Sequence, residues 1–345
     1  MTGKLFGLDI GTTTIKAVWL GKDKNFLTFQ SCITVPTPAR GMLSEAQLDQ
    51  EEMANAIRKM MMDAKIGTKN CSIALADNQV FTKVIEMPVL SEAELSSAIK
   101  WEAEQYIPAQ LSTMTLDWKV LRPKTLVNGV EKMQVLLIAA STALIQRYQL
   151  ILELAGLTPV SVETETISAI RSILVGDKPP TSLIINIGAL STSLAILQDG
   201  VMVFTYTIPL GGLAMNRAIA SDFGFNPQQA EQYKKTYGIV DKSFGGKIAK
   251  AIQPILQSIL VEVKKSLAFY SEKYKNNSQV TQIVLSGGTA KLPGIDIYFA
   301  QNIGVETVIS NPWKAFNVQN TPAEVLDSGT DYTIAFGLAL KAYEQ

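Results

Sequence analysis

The sequence predicts an α/β protein built from two similar lobes. Apolar strand-like runs alternate with amphipathic helical segments along the whole chain. A strand–turn–strand pattern at Leu8-Asp9-Ile10-Gly11-Thr12-Thr13-Thr14 returns as Ile185-Asn186-Ile187-Gly188-Ala189-Leu190-Ser191-Thr192, with Asn186 in the place of Asp9. The chain is 345 residues long, which at about 100–200 residues per domain suits two domains. A repeat so widely spaced is no solenoid. It points to two facing domains that each contribute a hairpin.

Taken in order, Leu5–Leu20 reads as strand, Gly-Thr turn and strand. Met53, Ala56, Ile57, Met60, Met61 and Ala64 then follow helical spacing, with Asp49 and Glu52 as a capping box. Ser91 and Glu94 form a second box, opening a helix through Leu95, Ala98, Ile99 and Tyr106 that Pro108 stops. Strands follow at Thr115–Leu121 and Lys132–Ala140, joined by a loop at Asn128-Gly129. Leu144, Ile145, Tyr148, Ile151, Leu152 and Ala155 make a helical stripe closed by Gly156. The second hairpin uses strand Ser193–Leu197, turns at Asp199-Gly200 and returns along Val201–Ile208. Asn226-Pro227 caps a helix through Ala230–Tyr237. The stripe from Ile255 to Tyr270 is the longest helix, and Tyr332–Tyr343 is the last. Glu86–Val162 and Leu213–Lys275 read as insertions, the second mainly helical.

Composition narrows the chemistry. There are 31 Lys plus Arg and 31 Asp plus Glu, so the net charge of zero argues against bulk electrostatic binding to nucleic acid. The histidine count is 0, which removes Ser-His-Asp and Cys-His triads, HExxH zinc sites and any imidazole base. Cys32 and Cys71 make no framework and read as buried thiols of a reducing cytosol. Met1 leads straight into a strand without a signal-type apolar region, and no run reaches the ~18 apolar residues of a spanning helix. The expectation is a cytoplasmic protein that reaches a membrane only through a partner.

Three stretches are equipped for chemistry. Asp9-Ile10-Gly11-Thr12-Thr13-Thr14 offers backbone N–H groups and hydroxyls to a phosphate, and an acid at a strand end can hold a hydrated Mg²⁺. An ordinary hairpin would use the same residues. Asn186-Ile187-Gly188 with Ser191 and Thr192 supplies a second donor-rich turn, so two turns could clamp one polyphosphate. Ser286-Gly287-Gly288-Thr289, then Lys291-Leu292-Pro293-Gly294, follows an apolar strand and lets backbone approach a flat ligand closely. A plain strand-to-helix turn is the alternative.

The order of these motifs, with Ala230-Glu231-x-x-Lys234 between the second and third, resembles the actin-like ATPase superfamily over essentially the whole chain. Within it the chain is most similar to the PilM family of type IV pilus assembly proteins, relatives of the division protein FtsA. The local signatures are Ala98-Ile99-Lys100-Trp101-Glu102-Ala103-Glu104-Gln105-Tyr106-Ile107-Pro108 and Ala155-Gly156-Leu157-Thr158-Pro159-Val160 leading to Glu163-Thr164-Glu165. The resemblance implies an actin-like fold of two ribonuclease-H-like lobes. A small α+β insertion would sit in lobe 1 and a helical insertion in lobe 2. The expected limits are 1–85 with 163–180 for the first core and 86–162 for a partner-binding SHS2-like insertion. For the second core they are 181–212 with 276–345, and for the helical, nucleotide-contacting subdomain 213–275.

The resemblance also implies ATP and Mg²⁺ as cofactors. Asp9, Gly11, Thr12, Thr13 and Thr14 would be the first phosphate loop, and Asn186, Gly188, Ser191 and Thr192 the second. Gly211 and Gly212 would close the inner wall, Glu231 would accept ribose hydroxyls, and Lys234 would lie near the base. Gly287, Gly288 and Thr289 would border adenosine. Asp9 and Asn186 would hold the metal through water, and Glu165 would orient the attacking water. Duller readings exist: Glu231 and Lys234 as a surface ion pair, Glu165 as a helix cap, and Glu163 as a solvated acid. Relatives usually carry Asp where this chain has Asn186, and an amide cannot take a proton. ATP binding is therefore expected to survive better than hydrolysis. The leading expectation is a cytoplasmic adaptor held at the inner membrane by the N-terminal cytoplasmic peptide of a PilN-like protein, with self-association open. No nucleic acid and no direct membrane insertion are expected. An FtsA-like division protein is the alternative, although the chain stops just after its last helix. A small-molecule kinase is another, weakened by Asn186.

Overall fold

Phe6–Ile10 and Ser182–Ile187 are buried along their whole lengths, because each is the middle strand of a five-stranded sheet. The computed structural model describes residues 4–127, 129–176, 178–240, 243–274 and 279–344; Asn128 of the expected loop lies outside them. In the first lobe β1 (Phe6–Ile10), β2 (Thr14–Asp23), β3 (Phe26–Pro36) and β4 (Asn70–Leu75) come first. The chain then leaves through β5 (Val80–Pro88), β6 (Met114–Val127) and β7 (Val130–Ser141) and returns as β8 (Thr158–Thr164). The second lobe contains β9 (Ser182–Ile187), β10 (Thr192–Gln198), β11 (Val201–Ile208), β12 (Gln282–Ser286) and β13 (Glu306–Ile309).

The sheet orders are β3-β2-β1-β4-β8 and β11-β10-β9-β12-β13. In both, the hairpin side is antiparallel and the far side parallel. The repeat read between Asp9 and Asn186 is thus a repeat of whole sheets. At Asp199-Gly200 both residues take positive φ, 53° and 74°, which suits a two-residue hairpin turn.

β5, β7 and β6 form a separate sheet in that order, with helix Glu92–Glu104 on one face. Ser91 and Glu94 make the full capping box there, and the helix ends before Tyr106. Two expectations change. Helix Thr142–Leu154 packs its Leu144, Tyr148, Ile151 and Leu152 into the first lobe, and β8 pairs with β4. The inserted sheet therefore spans Val80–Ser141, not 86–162. Likewise, the chain after β13 crosses back: Trp313, Phe336, Ala339 and Leu340 pack on Val18 and Leu20 of β2. The stretch 276–345 is consequently shared between the lobes.

Smaller corrections have local causes. Helix Gln47–Asp63 starts after Ala46 without a side-chain cap, and Asp49 instead accepts from Ser44 Oγ at 2.5 Å, so no Asp49–Glu52 box forms. Trp101, in the helical signature, is 74% exposed, while Tyr106 lies under Lys83 Nζ at 3.8 Å from its ring centre. The helical insertion holds helices Gly212–Phe223, Pro227–Tyr237 and Lys247–Lys273. Asn226 and Gln229 form its second capping box. No helix among the described residues is long and apolar enough to cross a membrane.

The lobes meet where helix Thr333–Leu340, lying on β1, packs against helix Glu165–Ile173, which in turn touches β9 and β10. A Cβ on Gly7 would lie 1.9 Å from the Ala335 carbonyl oxygen, and one on Gly337 would lie 1.9 Å from that of Ser168. Gly7→Ala and Gly337→Ala are each expected to destabilise the fold by roughly 1–3 kcal/mol or more, because backbone cannot yield as a side chain does. Urea denaturation midpoints at wild-type levels for both variants would contradict this.

Candidate functional site

Each lobe ends its middle strand in a tight turn. In the first, Gly11 N–H donates to Thr14 C=O (3.0 Å) and Thr37 Oγ1 donates to Gly11 C=O (2.7 Å). Thr12 and Thr13 stand exposed at the tip. Asp9, at the end of β1, is buried, and its Oδ2 lies 3.6 Å from Lys16 Nζ on β2. Burial raises the Asp9 pKa against the pull of Lys16. Lys16 carried no motif, so only the β1–β2 register, which sets Asp9 opposite it, reveals this partner.

The second turn is closed by Gly188 N–H donating to Ser191 C=O (2.9 Å). Glycine-212 N–H donates to Gly188 C=O and Leu213 N–H to Ala189 C=O, both at 2.9 Å, which seats the start of helix Gly212–Phe223 on the turn. A Cβ on Gly211 would meet the Gly188 carbonyl oxygen at 2.6 Å, so glycine is required there for packing. Thr289 Oγ1 donates to the same Gly188 carbonyl (3.4 Å), and Ser286 Oγ donates to Asn186 Oδ1 (3.3 Å). Gly287, at φ 86°, lies so close to Asn186 and Ile187 that a Cβ would clash with both. Around Gly288 the space is open, with only Asp331 Oδ1 within 4 Å of its absent Cβ, at 3.9 Å. Thr192 is different: it is fully buried, and its hydroxyl donates to Leu210 C=O (2.8 Å).

Lys234 Nζ is buried and donates to Gly212 C=O (3.3 Å) and Glu231 Oε2 (2.8 Å). Asn216 Nδ2 donates to the same carboxylate oxygen, and Lys235 Nζ approaches Oε1 at 3.0 Å. Burial would raise the Glu231 carboxyl, but Lys234, Lys235 and Asn216 hold it down to about 2. This is no surface ion pair. Asn216 Oδ1 is buried without a hydrogen-bond partner among the described residues. Glu231, Lys234, Gly212, Gly188, Thr289, Gly287 and Asn186 are thus one contiguous assembly in the second lobe.

An acidic centre faces the first turn. Thr164 caps helix Glu165–Ile173, so Glu165 is its first residue and not its cap. Glu163 is no solvated acid either; it pairs with Arg171 at 2.7 Å through Nη2. Asp77 N–H donates to Glu165 Oε2 (3.5 Å), and Asp77 accepts from Thr166 N–H (3.2 Å) and Thr166 Oγ1 (2.7 Å). Ser193 of β10, in the second lobe, is near enough to help hold the Asp77 carboxyl down. Burial, then Asp77 and Asp9, push the Glu165 carboxyl well above its usual 4.5. Burial likewise raises Asp77, against its hydrogen bonds. Asp77 went unread in the sequence; only the strand-end position after β4 could have flagged it. Among the described residues no hydrogen bond or ion pair joins the first turn to the second, and no three acids gather closely enough to hold a metal directly. A cation at Asp9 and Asn186 would have to be held through water and a ligand's own oxygens.

The donor set fits a nucleoside polyphosphate. Two turns and Lys16 suit the anion, open space at Gly288 suits a flat group, and the orphaned Asn216 Oδ1 is an acceptor in want of a donor. Because Asp77 and Glu165 have raised folded pKa values, their favourable contribution to stability is complete near pH 4 and is lost as pH climbs through those values. Glu165→Gln should therefore melt above wild type at pH 8, with the difference vanishing toward pH 4. Thermal melts showing the reverse trend would contradict this placement of the acids.

Comparison with known proteins agrees with this architecture. The type IV pilus assembly protein PilM family matches residues 7–343. A chain of a PilM–PilN type IV pilus biogenesis complex superposes with TM-score 0.85 at 27% identity, covering 99% of both chains. MreB 5 of Spiroplasma citri bound to AMPPNP shares the fold at TM-score 0.53 and 17% identity, over 99% of this chain and 95% of that one. The cell division protein FtsA of Bacillus subtilis (strain 168) is 22% identical over 329 residues, 84% of this chain and 74% of the relative. Two matched α/β lobes, joined at a crossing of helices and matched from end to end, make this an actin-like fold, and the chain belongs to the type IV pilus assembly protein PilM family.

Proposed function

We propose that the protein is an ATP-binding adaptor of the type IV pilus inner-membrane assembly complex. The observation that carries the nucleotide half is the second-lobe assembly: a buried lysine, a carboxylate held near pKa 2 and three close-packed glycines converge on one turn. In this reading Thr12, Thr13 and Lys16 bind the phosphates from one side, and the Gly188–Ser191 turn binds them from the other. Mg²⁺ would be steadied through water by Asp9 and Asn186. Asn216 and Glu231 orient the nucleoside, with Gly287, Gly288 and Thr289 beside it. ATP supplies a charged ligand that both lobes can grip.

Hydrolysis is expected to be slow. Asn186 is an amide, and Glu165 is held toward its protonated form, which cannot take a proton from water. The partner half rests on likeness to a chain of a PilM–PilN complex. The N-terminal cytoplasmic peptide of a PilN-like inner-membrane protein is accordingly the proposed partner, placing the adaptor in the cytoplasm at the membrane surface.

Mg-ATP at about 100 times its Kd should stabilise the fold by about 2.7 kcal/mol. Asp9→Ala and Glu231→Ala should each reduce that gain in a thermal-shift titration. Phosphate release should match that of Glu165→Ala; brisk release abolished by that substitution would overturn the adaptor reading in favour of an enzyme. Calorimetric titration of the PilN-like N-terminal peptide into the protein should give saturable heat, and a flat trace would remove the proposed partner.

A further inference from the structure

The inserted sheet is covalently part of the first lobe but lies on the second. Its face opposite helix Glu92–Glu104 puts Val84 and Leu136 against Leu197 and Met202 of the β10–β11 hairpin. At one end, Glu86 of β5 pairs with Lys273 Nζ at 2.9 Å, and Gln134 Nε2 of β7 donates to Tyr274 Oη at 3.2 Å. Lys273 and Tyr274 stand at the C-terminal end of helix Lys247–Lys273. At the other end, Arg122 Nη2 donates to Gln198 C=O (2.8 Å) and approaches Asp199 Oδ2 (3.2 Å) at the hairpin turn.

This contact differs from the helix crossing. There, backbone meets backbone with no room to give. Here, a modest apolar patch is bordered by charged and amide groups, as in interfaces between mobile domains. Gln134 is fully buried, yet its Oε1 has no hydrogen-bond partner among the described residues. Water would satisfy that oxygen once the surfaces part, which lowers the cost of parting. Lys273 keeps contact with solvent, its side chain 29% exposed, and Glu86 Oε2 lies 3.7 Å from Lys132 Nζ of β7, so the carboxylate keeps a cation when the pair parts.

We propose that the inserted sheet is a releasable clamp on the second lobe, fastened by Glu86 and Gln134 at the end of helix Lys247–Lys273 and by Arg122 at the β10–β11 turn. Closed, it restrains the angle between the lobes; released, it lets them swing about the helix crossing. The clamp needs no nucleotide and stands apart from the adaptor reading. The helix it holds packs against helices Gly212–Phe223 and Pro227–Tyr237, which carry Asn216, Glu231 and Lys234, so movement at one end reaches the other.

Hydrogen-exchange mass spectrometry on the full chain tests this. Lys273→Ala should raise exchange about tenfold in the edge strands β5 and β11 while β7, β1 and β9 keep their rates, the signature of a sub-global opening. Arg122→Ala, which leaves the helix end intact, should do the same, and both should raise the radius of gyration in small-angle scattering. Unchanged exchange in β5 and β11 would overturn the clamp, as would an equal rise in every strand or an unchanged radius of gyration alongside faster exchange.

Discussion

Everything in this molecule that involves two lobes acting together depends on a place where side chains are missing. Gly7 on β1 and Gly337 on helix Thr333–Leu340 let three backbone segments approach until the Ser168 and Ala335 carbonyls fill the space a methyl group would need. Close-packed interiors transmit strain instead of absorbing it. The turns at Gly11–Thr14 and Gly188–Ser191 end the middle strands of the two sheets joined there.

Near this crossing the protein keeps electrostatics that stability alone would not select. Asp9 and Asp77 are buried and Glu165 is half-buried on the first lobe's side, with Lys16 as the cation beside Asp9. Buried carboxyls lacking full compensation cost free energy, and such groups cluster at functional sites. On the second lobe the balance is the opposite: Glu231 is surrounded by Lys234, Lys235 and Asn216 and stays ionised. On one wall burial raises the carboxyl pKa values, and on the other the neighbouring cations hold Glu231 down.

Much of this was legible in the residues. The hairpins, the Asp199-Gly200 turn, the Ser91–Glu94 box, the Asn226-Pro227 helix start and the long helix all follow from local rules that the structure respects. What was not legible depends on distant pairing. Nothing local to Thr142–Leu154 says that its apolar stripe belongs to the first lobe and not to the inserted sheet. The return of the C-terminal chain to β2 is set by Trp313 and Phe336 finding Val18 and Leu20, over 290 residues away in sequence. Lys16 and Asp77 escaped for the same reason: each has its meaning only through a strand register or a helix start elsewhere. Thr192 shows the converse, a hydroxyl in a suggestive position that spends its proton on Leu210.

In the proposed function both turns grip one polyphosphate. A crystal structure grown with Mg²⁺ and a non-hydrolysable ATP analogue tests it most directly. The terminal phosphates should lie between the Gly11–Thr14 and Gly188–Ser191 turns, with Lys16 Nζ moved from Asp9 onto a phosphate oxygen. An analogue bound to one lobe alone, or absent from the interlobe space at saturating concentration, would contradict it.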